Sequence, residues 1–200
     1  MRLILASASP RRAELLRAAG FAFETSPPGV DEAPRIAEAP AAYALRMARD
    51  KAASASTLHP DRVILAADTI VVVADQILGK PAGAADATRM LQMLSGAEHV
   101  VQTAVVVLAG AREWSDLTST RVRFCPLTPE EIAWYVGTGE PAGKAGAYAI
   151  QGHAARSVNW IEGSWSNVVG LPVATVYRML KEAGSRDILS ASPHSEQLGP

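Results

Sequence analysis

Apolar residues fall along this chain in two patterns, short continuous runs and helical stripes, punctuated by Gly, Pro and Ser. Leu3-Ile4-Leu5-Ala6 reads as a short buried strand. Ser7-Ala8-Ser9-Pro10 follows, with Ser9 placed to cap a helix and Pro10 at its first position. Ala13, Leu15, Leu16 and Ala19 give this helix an apolar side, Gly20 stops it, and Phe21-Ala22-Phe23 reads as a brief second strand. From Ser26 to Pro40, four prolines, Gly29 and several acids predict a long functional loop. Pro40 opens an alanine-rich helix to about Ser56. Val63–Ala67 is a continuous apolar run that gives way at Asp68-Thr69 and resumes as strand over Ile70–Ala74.

A turn near Asp75-Gln76 leads to Ile77-Leu78 and a Gly79-Lys80-Pro81 loop. Residues 84–94 carry Ala87, Met90, Leu91 and Leu94 at helical spacing, closed by Gly96. Val100–Leu108 and Ser119–Phe124 are expected to pair antiparallel around Gly110. Thr128-Pro129-Glu130-Glu131 is a capping box that starts a helix over 129–136. A glycine-rich loop, Gly137 to Gly146, then precedes expected strands at Ala147–Ile150 and Val158–Ile161. Pro172 begins a last amphipathic helix, ended by Gly184. The order implies an α/β fold with a mixed sheet, one domain over residues 1–184, and a polar, mobile tail over 185–200.

Composition narrows the function. The 19 basic and 20 acidic side chains give a net charge of −1, which argues against a protein that coats a nucleic-acid polymer through bulk charge. The average conceals a cluster, because residues 1–17 hold four arginines against one acid. With 48% hydrophobic residues the chain is too apolar for disorder. Its longest apolar stretches, Ile70–Ala74 and Ala104–Ala109, are strand-sized, so neither a membrane span nor a signal peptide is expected. One cysteine, Cys125, excludes an internal disulfide and fits a reducing compartment; the location read from this is cytoplasmic.

Several residues are placed for chemistry. Arg11 and Arg12 face the positive end of a helix dipole, an unfavourable position unless an anion sits there. With Ser7 and free N–H groups they would form a phosphate cradle; the alternative is a capped helix with its arginines in solvent. Asp68, among apolar neighbours, reads as a base or cation ligand, or as a turn cap. Glu32 in the long loop would suffice with Asp68 for a Mg²⁺ completed by substrate phosphate, or is simply solvated. Lys51 and Lys80 are each equally readable as surface cations, and Gln151 as a reader of a base edge or a structural amide. Trp160 and Trp165 flank a loop that would line a pocket. Histidines at 59, 99, 153 and 194 lack metal spacing, and neither a P-loop nor a nucleophile elbow is present.

Five motifs occur in order: Ser7-x-Ser9-Pro10-Arg11-Arg12, Ala67-Asp68-Thr69, Gly79-Lys80-Pro81, Lys144-Ala145-Gly146-Ala147-Tyr148-x-Ile150-Gln151-Gly152, and Asn167-Val168-Val169-Gly170-Leu171-Pro172. In this the chain closely resembles the Maf family of nucleoside triphosphate pyrophosphatases over about residues 2–183. The resemblance implies an elongated mixed sheet flanked by helices, in two lobes with a nucleotide cleft, of the Maf/Ham1, ITPase-like kind. It implies cleavage between the α- and β-phosphates with a divalent metal, Mg²⁺ or Mn²⁺, held by Glu32 and Asp68. Asp68 matches the general base, Glu32, Lys51 and Lys80 match further catalytic positions, and Ser7, Arg11 and Arg12 match the phosphate-binding turn.

Asp68-Thr69 with Ile150-Gln151-Gly152 resembles the branch that acts on dTTP and UTP, in which Thr69 and Gln151 would meet the N3–H and O4 of the pyrimidine. That dependence would admit modified pyrimidine nucleotides and fits a house-cleaning role. Two departures stand out: Gly143 where the family commonly has aspartate, and Trp165 where tyrosine or phenylalanine is usual. The competing readings are the same chemistry on another nucleotide such as 7-methyl-GTP, and a nucleotide-binding regulator of cell division without important turnover. A homodimer is compatible with the resemblance.

Overall fold

The computed structural model describes residues 3–184. Its first strand, β1 (Leu3–Ala6), is wholly buried and leads through Ser7–Ser9 into α1 (Pro10–Ala18) and β2 (Phe23–Thr25). α2 (Pro40–Leu58) precedes the 11-residue β3 (Val63–Val73), which turns through Ala74 and Asp75 into β4 (Gln76–Leu78). α3 (Ala84–Leu94) is followed by two long strands, β5 (Glu98–Ala109) and β6 (Arg112–Phe124). α4 (Pro129–Gly137), two 3-10 turns (Ala145–Ala147 and His153–Ser157), β7 (Val158–Glu162), α5 (Trp165–Val169) and α6 (Val173–Glu182) complete the order.

The sheet runs β2-β1-β3-β5-β6-β7, with β4 on β3, so it is mixed as expected. β1 is parallel to β2 and β3, and all other pairings are antiparallel. Strand alternation sorts β3 between two cores. Leu65 and Ala67 join the core under α1 and α6, whereas Ile64 and Ala66 join the alanine-lined core under α2. Farther along, Val71 and Val73 enter a third core, built on α3 and α4. The helices thus gather at two ends of β3, which is the two-lobed arrangement.

One edge of β3 explains the opening between them. β5 pairs with β3 from Val63 to Val72 on one side. On the other, β1 pairs only as far as Ala66 and β4 only from Val71. Residues 67–70 therefore keep an unpaired edge, and a cleft of about 970 Å³ opens there. Asp68 lies within β3 rather than at its end as expected; the carboxyl end that it faces is that of β1.

Other expectations also need correction. The second strand is Phe23–Thr25, two residues later than expected, because Phe21 turns into the core after Gly20 (φ 79). Residues 147–150 do not form a strand. Gly146 and Ala147 both have left-handed backbones, φ 68 and 57, which end any extended run. Their apolar pattern arises because Ala147, Tyr148 and Ile150 enter the α3/α4 core from turns. α5 has no counterpart among the expected elements, the strand expected at Ser119–Phe124 begins at Arg112, and the expected tail lies outside the described residues.

Among the described residues no helix is long and apolar enough to cross a membrane. Gly146 is pressed against β3, where a Cβ would stand 2.9 Å from Val71 Cγ2. Gly146→Ala should cost about 1–3 kcal/mol through positive φ and overpacking. Urea unfolding checks this, with an unchanged midpoint contradicting it.

Candidate active site

Alternation along β3 also decides which helix each polar residue meets. Asp68 follows Ile64 and Ala66 toward α2, and Thr69 follows Leu65 and Ala67 toward α1. On the α2 side, Lys51 is buried and its Nζ donates to Asp68 Oδ1 at 2.6 Å. The same ammonium lies 2.7 Å from Glu32 Oε1, and Lys80 Nζ is 2.9 Å from Glu32 Oε2. Two cations and two carboxylates thus form one chain, Asp68–Lys51–Glu32–Lys80, from the sheet to the rim. Asp68 Oδ2 makes no hydrogen bond among the described residues.

Glu32 comes from the proline-rich loop. Its backbone carbonyl accepts from Tyr43 Oη at 2.9 Å, which ties that loop to α2. Burial pushes its carboxyl up, but the bonds from Lys51 and Lys80 outweigh this and hold it at about 2.

On the α1 side, Arg12 makes three bonds: Nε to Gly170 O at 2.8 Å, Nη1 to Ser7 Oγ at 3.2 Å and Nη2 to Thr69 Oγ1 at 3.0 Å. A guanidinium has five N–H groups, so two remain for a ligand. Burial lowers its pKa, with Asp68 opposing; the group remains charged at neutral pH. Thr69 Oγ1 also meets Thr103 Oγ1 at 3.0 Å and Gly170 O at 3.2 Å, so it is part of the Arg12 cradle. Ser7 Oγ accepts from Ser9 N–H at 3.1 Å, and the Ser9 side chain makes no cap bond.

Ser7, Arg11, Arg12, Glu32, Lys51, Asp68, Thr69, Lys80 and Gln151 all line the one cleft. Arg11 and Arg12 therefore point into it, not into bulk solvent. Gln151 is exposed on a turn, not at a strand end, with its amide unpartnered among the described residues. Trp165 is 47% exposed and is not among the cleft residues, so the expected aromatic wall is absent from that position. Gly143 does line the cleft, with φ 70.

Sequence reasoning missed Lys144, Glu140, Tyr43 and the Gly170 carbonyl as parts of this site. Lys144 was visible within the densest glycine region, where its charge was the available signal. Its pKa is lowered by burial and then by Arg11, a second cation lining the same cleft. Gly170 lies 158 residues from Arg12 along the chain, and no local spacing links them.

Cations on both walls, facing a buried carboxylate with one free oxygen, suit a polyanion and a hydrolytic step. Comparison with known proteins agrees: the family model described as Maf-like protein matches residues 2–183. The chain belongs to the Maf family. Maf relatives named dTTP/UTP pyrophosphatase include one from Koribacter versatilis, 50% identical over 92% of this chain and 95% of its own. Another, from Symbiobacterium thermophilum, is 50% identical over 91% of this chain and 94% of its own. A third Maf relative of that name, from Geobacter sulfurreducens, is 49% identical over 92% and 97%.

Lys51→Met should leave buried Asp68 unpaired and destabilise the fold by about 3 kcal/mol at pH 7. It should also let the Glu32 pKa rise. In the wild type, the depressed Glu32 value stabilises the fold fully above its ordinary 4.5, and this is lost as pH falls toward about 2. Urea unfolding across that window should show a shallower loss in the variant. An equally steep loss would remove Lys51 as the cause.

Proposed function

We propose that this protein hydrolyses dTTP and UTP to the nucleoside monophosphate and pyrophosphate. The observation that carries the reading is Asp68, held by Lys51 at 2.6 Å with Oδ2 free, at the unpaired edge of β3 in the cleft that Arg12 also lines. The names borne by relatives of about half identity supply the substrate.

Asp68 Oδ2 takes the proton from a water that attacks the α-phosphorus. The water oxygen–phosphorus bond forms, the bond from that phosphorus to the α–β bridging oxygen breaks, and pyrophosphate leaves. Lys51 keeps the Asp68 carboxylate in place through Oδ1. Arg11, Arg12, Ser7, Lys80 and Lys144 neutralise and orient the phosphates, with the unused N–H groups of Arg12 directed to them.

Among the described residues no cluster of three or more His, Cys, Asp or Glu could hold a metal ion by itself. Two carboxylates that share one ammonium do fit an ion held jointly with substrate, because each lysine-bonded oxygen keeps a second lone pair. Asp68 and Glu32 would hold Mg²⁺ or Mn²⁺, which supplies charge neutralisation on the phosphates.

Gln151 presents both a donor and an acceptor to the cleft, the complement of a pyrimidine's N3–H and O4. Thr69 contributes through the cradle it shares with Arg12. Selection through hydrogen bonds rather than shape admits modified pyrimidine nucleotides, which is the chemistry of a house-cleaning enzyme.

Asp68→Asn should abolish pyrophosphate release, a loss of at least 10²-fold in kcat, with the circular dichroism spectrum unchanged. Near wild-type turnover would remove Asp68 from the base role. A panel of dTTP, UTP, CTP and 7-methyl-GTP, with and without EDTA, tests substrate and metal together. The first two should be preferred, EDTA should silence them and added Mg²⁺ or Mn²⁺ should restore them. Preference for 7-methyl-GTP would overturn the substrate reading, and UTP binding without turnover in added metal would favour a regulator. Gln151→Glu should narrow the preference for pyrimidines.

A further inference from the structure

We propose that Glu140 is a positioning residue for pyrimidine recognition, because with Tyr135 it clamps the segment that carries Gln151. The inference rests on the pyrimidine reading above and concerns a residue that reaches the base only through others.

Residues 149–154 form turns without strand pairing, so something else must fix Gln151. At the near end, Ala149 N–H donates to Tyr135 Oη at 3.2 Å. Tyr135 in turn donates to Glu140 Oε1 at 2.7 Å. At the far end, His153 N–H donates to Glu140 Oε2 at 2.9 Å and Ala154 N–H donates to Oε1 at 3.3 Å. Gln151 sits between these two anchors and has no side-chain bond of its own among the described residues.

Gly152 supports the same point independently. Its φ of −108 lies outside the left-handed region that favours glycine. A Cβ would stand 2.2 Å from Glu140 Oε2. The missing side chain is what lets the carboxylate reach both N–H groups. The Glu140 backbone carbonyl also accepts from Lys144 Nζ at 2.5 Å. Burial works against the charge on Glu140, but the bonds from His153, Tyr135 and Ala154 hold its pKa below the usual range. It therefore stays an acceptor for all three donors at neutral pH.

A glutamine in its place turns one end from acceptor into donor, and that end then faces a backbone N–H, which has nothing to accept with. The test compares wild type, Glu140→Gln, Glu140→Ala, Gly152→Ala and the Glu140→Ala/Gly152→Ala pair on UTP, dTTP, CTP and GTP. Glu140→Gln should lower kcat/KM for UTP and dTTP about tenfold or more, mainly through KM, and narrow their lead over CTP and GTP. Gly152→Ala should reproduce the defect alone and add little once Glu140 is already alanine. Should Glu140→Gln fail to fold, Tyr135→Phe removes the near-end anchor on Ala149 together with one of the three carboxylate bonds and should shift selectivity the same way. Variants that keep the wild-type preference overturn the proposal. So does an equal fall in kcat for every nucleotide at constant KM, which marks a merely structural role. A wild-type protein without pyrimidine turnover instead overturns the reading on which the proposal rests, and this is separately visible in the same panel.

Discussion

Everything at this site depends on a discontinuity in pairing along β3. The pairing of β1 with β3 stops at Ala66 and that of β4 starts at Val71, while β5 continues unbroken on the other side. The unpaired stretch is rigid because one edge is fully laddered, and open because the other has no partner. Had β1 been two residues longer, the edge beside Asp68 would be occupied. The cleft is thus a product of strand length, and the two groups of helices pack around it.

The pleat then distributes chemistry. Neighbouring residues of a strand face opposite ways, so Asp68 and Thr69, adjacent in sequence, serve two different walls. Asp68 takes a cation from α2 and Thr69 takes one from α1. The resulting site has a carboxylate–ammonium chain on one side and a guanidinium cradle on the other. A one-residue slip of β3 against β5 would exchange these partners and bury the cores incorrectly, so register for packing and register for chemistry are the same.

Much of this was legible from residue types. The β1–turn–α1 unit, the capping box at Thr128 and the amphipathic α6 follow from local rules, and the structure agrees. That the nine candidate residues share one cleft is also consistent with their types, although the local pattern leaves Lys51 and Lys80 ambiguous without the family resemblance. What stayed hidden was nonlocal or depended on backbone sign. The apolar run at 147–150 mimics a strand, and only the left-handed φ of Ala147 distinguishes it. The place of Asp68 within one long strand depended on the length of β5, which a polar pair in mid-run obscures. Glu140 carries no local signal, because its three donors come from residues 135, 153 and 154.

The carboxylate–ammonium chain has a consequence for how the cleft receives an anion. Lys80 and Lys51 already have Glu32 as a counter-charge. An arriving polyphosphate therefore displaces or shares an internal anion rather than filling bare positive charge. Charge exchange of this kind releases fewer small ions from solution than a count of the cleft's cations implies. The affinity of such a site should accordingly depend less steeply on ionic strength than an equally basic open groove. The protein carries its own screening into the cleft, on the end of a proline-stiffened loop.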